Sequence, residues 1–261
     1  MGIVRNRYEL VLMRKSGQIA GLALRKTLAG VKVGVSGLDL DKIAREEIYR
    51  LGGELSYKTV PGYKFATCVT INEQVVHGIP TKRKLQADDL VSIDLAVEYK
   101  GWHTDCAWSI LVKQKTEDER QQRGKEKFLK VGQAALADGI AQAVDGNKVG
   151  DISSAIQEKV EGAGYAVIRS LVGHGIGRNL HEEPELPGYG QKGMGVSLKK
   201  GMALAIEVIY AQGGYDLVLQ EDGWTYSTAD GSVGGLFEMT VIVGKGKAEI
   251  LTKFPFNAMG L

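Results

Sequence analysis

The 261 residues carry 33 Lys and Arg against 31 Asp and Glu, a formal charge of +2, with 44% apolar residues and 25% charged. That balance lacks the charge excess a nucleic-acid or membrane-surface partner would exploit, and no stretch approaches the roughly 20 apolar residues of a membrane span. Cys68 and Cys106 stand outside any CxxC and build no disulfide scaffold, and the charged first 26 residues hold no secretory h-region, so a cytoplasmic protein is expected.

In chain order, the first 30 residues read as a helix, with Leu10, Met13, Ile19, Leu22, Leu24 and Leu28 near helical spacing. A second helix starts between Ser36 and Asp41 and runs to about Arg50, where Gly52-Gly53 supplies a left-handed stop. The period then shortens. Residues 67–71 and 90–98 read as strands, and residues 102–112 pair back after a turn within 99–101. A long helix follows over 117–143, with a break expected near Gly124, and another over 152–161. Strands are expected at 166–172, 202–210, 216–220 and 236–243. Leu40, Ile43, Ala44, Ile48 and Gly52 are matched in spacing by Ile152, Ala155, Ile156, Val160 and Gly164, which suggests a duplicated α+β unit. With no Pro/Ser-rich linker between the copies, residues 1–261 are read as one domain. The C-terminal residues 257–261 fit no lipidation box.

The chemistry lies in acids placed where acids are rare. Asp94 interrupts the apolar run Val91–Val97, and Asp105 follows eleven residues later on the returning strand. Aspartate is depleted in strands, and burying its charge unpaired is costly. A two-residue turn makes paired positions sum to an odd number, so both carboxylates face one side; a three-residue turn puts them on opposite faces. Glu207 sits likewise within Met202–Ile209, and Glu238 within Gly235–Val243, and no Lys or Arg shares those runs. Four carboxylates against two dications leave a near-neutral cluster. His174, in Gly173-His174-Gly175-Ile176-Gly177, supplies an imidazole that flanking glycines would present in a tight loop. That segment fails GxGxxG by one residue and lacks the strand-turn-helix context of a dinucleotide site. His181 and His77 are further loop histidines, in His181-Glu182-Glu183-Pro184 and His77-Gly78-Ile79-Pro80.

Taken with Asn72-Glu73, Gly223-Trp224-Thr225 and Phe237-Glu238, these segments resemble the type I methionine aminopeptidases of the bacterial kind, in the pita-bread metallopeptidase family. The resemblance covers nearly the whole chain. It implies an α+β fold in which a pseudo-twofold pair of halves forms a central curved antiparallel sheet covered by helices. It also implies two divalent ions (Co, Mn, Fe or Zn) on Asp94, Asp105, His174, Glu207 and Glu238, with Asp105 and Glu238 bridging. Glu207 resembles the proton shuttle, His181 the group that polarises the scissile carbonyl, and His77 the group near the leaving amide. Tyr63, Cys68, Leu180 and Trp224 resemble the pocket for the first side chain, a setting suited to a thioether. The implied activity removes the initiator methionine of nascent polypeptides, preferring a small second residue, by a monomer in transient contact with the ribosome.

The sequence departs from the family pattern at Val208, Met239, Leu180, Val60 and Tyr57, which bears on side-chain selectivity and rate. Two rivals keep the same ligands or fold: an Xaa-Pro aminopeptidase or prolidase, which usually carries an extra N-terminal domain of roughly 100 residues, and a peptide-binding relative without catalysis.

Overall fold

The change from helical to strand periodicity after residue 52 is present in the computed structural model, which describes residues 6–113 and 119–253. Helix α1 (Arg7–Leu28) starts where Asn6 Oδ1 accepts from the Glu9 amide, and α2 (Gly37–Arg50) starts in a reciprocal Ser36/Asp39 capping box. Gly52 follows at φ 83°, the left-handed stop read from the sequence. Then come β1 (Glu54–Leu55), a 3-10 turn over Ser56–Thr59, β2 (Cys68–Ile71), β3 (Gln74–Val76), β4 (Leu90–Tyr99) and β5 (Trp102–Leu111). Helices α3 (Glu119–Ala141) and α4 (Val149–Gly162) lead into β6 (Ala166–Val167), β7 (Gly173–Gly175), β8 (Glu182–Leu186) and β9 (Ala203–Ala211). The chain continues through β10 (Leu217–Leu219), β11 (Tyr226–Thr228), β12 (Gly234–Ile242) and β13 (Glu249–Ile250).

Three expectations change. Helix α3 runs through Gly124 without a break, since an isolated glycine costs only about 1 kcal/mol against alanine in a helix. The strand expected over 166–172 stops at Val167: Ala166 and Val167 pair with Ala211 and Tyr210, and beyond them Ile168 N still donates to Ile209 O at 2.9 Å. Strands β1, β3, β7, β8, β11 and β13, each of five residues or fewer, lie outside the strands expected from the sequence. The proposed helix residues 117–118, the N-terminal residues 1–5 and the C-terminal residues 257–261 lie outside the described residues. Among the described residues, no helix is long and apolar enough to cross a membrane.

The main sheet runs β1-β4-β5-β12-β9-β7-β8, with β2 on β4, β6 on β9 and β13 on β12; β10-β11-β3 form a smaller sheet. Helix α1 packs against β4 and β5 and carries α2, which also meets β1 and β2; α3 packs against β9 and β12 and carries α4, which also meets β6 and β8. Alternation decides the faces. Ile93, Leu95 and Val97 of β4, Cys106 and Trp108 of β5, Ile206 and Val208 of β9, and Phe237, Met239 and Val241 of β12 lie in the core shared with the helices. Their neighbours one step along therefore point to the other face, and among those neighbours are the four acids. The repeat seen in the sequence is structural: α2 and α4 are equal in length, end at Gly52 and Gly164 with φ 83° and 86°, and each feeds a two-residue strand onto its half of the sheet.

The halves meet where β5 pairs β12 in only two positions, Glu238↔Ala107 and Met239↔Cys106. Hydroxyls flank that short ladder. Thr240 Oγ1 accepts from Asp105 N at 2.9 Å and donates to Asp105 O at 2.8 Å. Ser109 Oγ does the same for Leu236, at 2.9 and 2.8 Å. Each strand thus reaches across with one hydroxyl to satisfy buried backbone groups that the ladder no longer serves.

Candidate metal centre

The Asp94/Asp105 hairpin turns at Lys100 and Gly101, with φ of 51° and 78°, the pair of positive values a type I′ turn requires. Register then sets Asp94 opposite Ala107 and Asp105 opposite Ala96, so the two carboxylates are diagonal neighbours on one face. The two-residue turn settles the alternative left open by the sequence. In the other half Glu207 and Glu238 stand directly opposite one another.

His174 lies on strand β7, paired with Ala205 of β9 and Glu185 of β8, and not in a tight loop. Its flanking glycines serve close approach instead. A Cβ on Gly173 would fall 2.6 Å from Ala205 O, and one on Gly175 would fall 2.2 Å from Glu183 O. The imidazole Nδ1 lies 2.9 Å from Gly175 O, a pure acceptor, so Nδ1 carries the hydrogen and Nε2 presents its lone pair. That Nε2 is 3.6 Å from Glu207 Oε1.

All eleven residues singled out in the sequence line one cavity of about 610 Å³: Asp94, Asp105, His174, Glu207, Glu238, His77, His181, Tyr63, Cys68, Leu180 and Trp224. Ligand atoms of Asp105, His174 and Glu238 lie within 4.8 Å of one another. Burial pushes all four carboxyls up: Asp94 to about 6, and Asp105, Glu207 and Glu238 well above the ordinary range, with the neighbouring carboxylates adding to the rise in those three. Burial also lowers His174 to about 4, so it is neutral and can ligate. Glu238 Oε1 is buried without a hydrogen-bond partner, and among the described residues no lysine or arginine lines the cavity. A carboxylate-rich set with one neutral imidazole and an orphaned oxygen fits divalent Mn, Fe, Co or Zn.

On one side of this cluster the 3-10 turn and β2 build a pocket. Tyr63 donates to Thr67 O and Cys68 Sγ and meets Trp224 edge-on at 5.1 Å between centroids. Trp224 is fixed by Asp222, whose Oδ1 accepts from the amides of Trp224 and Thr225. Leu180 packs in the same apolar cluster. His181 lies 4.5 Å from His174, ring to ring, with its own ring exposed to the cavity. His77 adopts φ 56°, a conformation uncommon outside glycine, beside Tyr226 at the mouth. Burial lowers both imidazoles, and His181 lowers His77 further.

The structure adds lining residues that the sequence did not assign to the site. Glu182, Glu183 and Glu185 come from β8, whose run of acids around a proline shows no strand pattern. Tyr57 donates its hydroxyl to Asp94 Oδ1 at 2.6 Å. Nothing in the sequence predicts that contact, because a 3-10 turn leaves no periodicity to read.

Residues 11–245 match the model of metallopeptidase family M24. A methionine aminopeptidase of Clostridium perfringens is 39% identical over 252 residues, covering 97% of this chain and 99% of that protein. Methionine aminopeptidase 1 of Bacillus subtilis is 37% identical, covering 97% and 100%. Among solved structures, a methionine aminopeptidase from Thermotoga maritima superposes with a TM-score of 0.91 at 40% identity, covering 97% of this chain and 100% of that one. A prolidase from Pyrococcus furiosus shares the fold, with a TM-score of 0.76 at 20% identity, and this chain spans 66% of its length.

Proposed function

Because the chain belongs to metallopeptidase family M24, and to the methionine aminopeptidases within it, we propose that it hydrolyses the peptide bond after an N-terminal methionine, preferring a small second residue. The observation that carries this reading is one cavity in which the carboxylate cluster and His174 adjoin an apolar wall of Tyr63, Cys68, Leu180 and Trp224. The pocket's aromatic and sulfur lining suits an unbranched thioether.

Asp94, Asp105, His174, Glu207 and Glu238 would hold the divalent metal of the site. Such ions supply Lewis-acid polarisation of a carbonyl and a nucleophile at neutral pH. The chain's own groups do the rest. Glu207 would take a proton from the attacking water and pass it to the departing amine. His181 donates toward the scissile carbonyl oxygen, where its exposed ring can reach a bound peptide. His77, which lines the same cavity, meets the backbone of the residue that leaves. The protein acts as a cytoplasmic monomer on the N-terminal methionine of nascent chains, in transient contact with the ribosome.

Assay of Met-Ala-Ser against Ala-Pro peptides, with added Mn²⁺ or Co²⁺, tests the specificity. Cleavage of the methionyl peptide is expected; preference for the prolyl peptide would favour the prolidase reading, and chelator-insensitive inactivity on both would favour a peptide binder.

A further inference from the structure

Tyr57 belongs to two structures at once. Its ring is buried, walls the side-chain pocket and meets Tyr63 edge-on at 5.5 Å between centroids. Its hydroxyl donates to Asp94 Oδ1 at 2.6 Å, a distance typical of a charge-assisted bond. Tyr63, its neighbour, sends the same group to Thr67 O and Cys68 Sγ and reaches no carboxylate. The turn that carries Tyr57 is tied down on both sides: Val60 N donates to Tyr57 O, Thr59 Oγ1 donates to Ser56 O, and Ser56 Oγ bonds His103 Nδ1.

A carboxylate turns easily about its last torsion, which is broad and roughly two-fold. The bond from Tyr57 restricts that freedom by engaging Oδ1 from the pocket wall, while Asp94 lines the cavity. We propose that Tyr57 is a positioning residue that orients Asp94 to receive a divalent cation, so that the wall of the side-chain pocket and the metal centre share one rigid contact. This rests on the metal-centre reading above. Hydrogen bonds to ligating carboxylates commonly govern metal affinity by about 10- to 100-fold.

The test is calorimetric titration of Mn²⁺ into the chelator-stripped full chain, comparing the unaltered protein with Tyr57→Phe, Tyr63→Phe and Asp94→Ala. The binding step lost in Asp94→Ala is expected to weaken by about 10- to 100-fold in Tyr57→Phe and to stay unchanged in Tyr63→Phe. Metal-free melting temperatures of the two Phe variants, each lacking one buried hydroxyl, report structural damage separately. Equal or tighter Mn²⁺ binding in Tyr57→Phe overturns the inference while leaving the metal centre standing, as does equal weakening in Tyr63→Phe. Absence of Mn²⁺ uptake by the unaltered chain overturns both.

Discussion

In the N-terminal half, β4 and β5 are closed by the two residues Lys100 and Gly101; in the C-terminal half, β9 and β12 are joined through residues 212–233. The short hairpin carries two aspartates on a diagonal, and the long-linked pair carries two glutamates face to face. The walls divide as well. The first half contributes Tyr57, Tyr63 and Cys68, and the second contributes His174 and His181, while its long connection brings Trp224 across to the first half's pocket. Matching frames therefore hold unlike chemistry. The tight turn fixes the diagonal of the two aspartates, and the long connection of the other half carries Trp224 across to complete a wall begun by the first.

Breaking the seam between the halves has the largest expected effect. Asp105→Asn removes the charge of a residue whose backbone Thr240 clamps and whose carboxylate lies within 4.8 Å of ligand atoms of the other half's His174 and Glu238. No measurable turnover is expected, with the fold retained by circular dichroism; substantial activity would refute the bridging role. Next comes His181→Ala, expected to lower kcat by about 10²-fold, the scale for losing a donor to a developing oxyanion. A change confined to KM would instead place His181 in substrate binding.

What the sequence discloses follows from how local each signal is. An acid inside an apolar strand is visible at once, because the surrounding residues declare the burial, and turn parity then brings Asp94 and Asp105 to one face. Helices α2 and α4 are legible from spacing, caps and glycine stops. By contrast, β3 and β11 are three residues long and exist through pairing with each other, so no window of sequence contains their cause. The glycines beside His174 predict conformational freedom but serve close packing, a distinction set by Ala205 and Glu183, which are remote in the chain or across a turn. The Tyr57–Asp94 bond is equally tertiary.

The two halves each have such a close approach, which gives a smaller prediction. A Cβ on Gly78 would lie 2.3 Å from Val69 O, and one on Gly173 would lie 2.6 Å from Ala205 O. Both obstacles are backbone, so each Gly→Ala change is expected to destabilise by about 1–3 kcal/mol in urea unfolding. Only Gly173→Ala should also weaken Mn²⁺ binding, because it displaces the strand of His174, whereas Gly78 adjoins His77. Equal metal affinity in both variants would show that β7 tolerates the shift.

The pH response separates the halves through protons. In the metal-free protein, Asp94 is raised from 3.8 to about 6, so the stability it contributes is full below 3.8 and lost as pH rises through about 6. His174, lowered from 6.5 to about 4, works the other way: its contribution is present above 6.5 and lost as pH falls through about 4. Asp105, Glu207 and Glu238, raised likewise, act in the direction of Asp94, so His174 offsets only one of four acids and melting mixes the whole cluster, which makes it a poor reporter of any one group. Metal affinity is a better one. Between pH 5.5 and 6.5 His174 is already neutral, while Asp105, Glu207 and Glu238 are raised well above the ordinary range by burial and by their neighbours. A cation entering the site must displace protons from these acids, so apparent Mn²⁺ affinity should rise about tenfold per pH unit for each proton released. Titrations in buffers of different ionisation enthalpy count those protons directly. A pH-independent affinity across that range would mean that the carboxylates are already ionised without metal, and that something other than a cation balances the cluster.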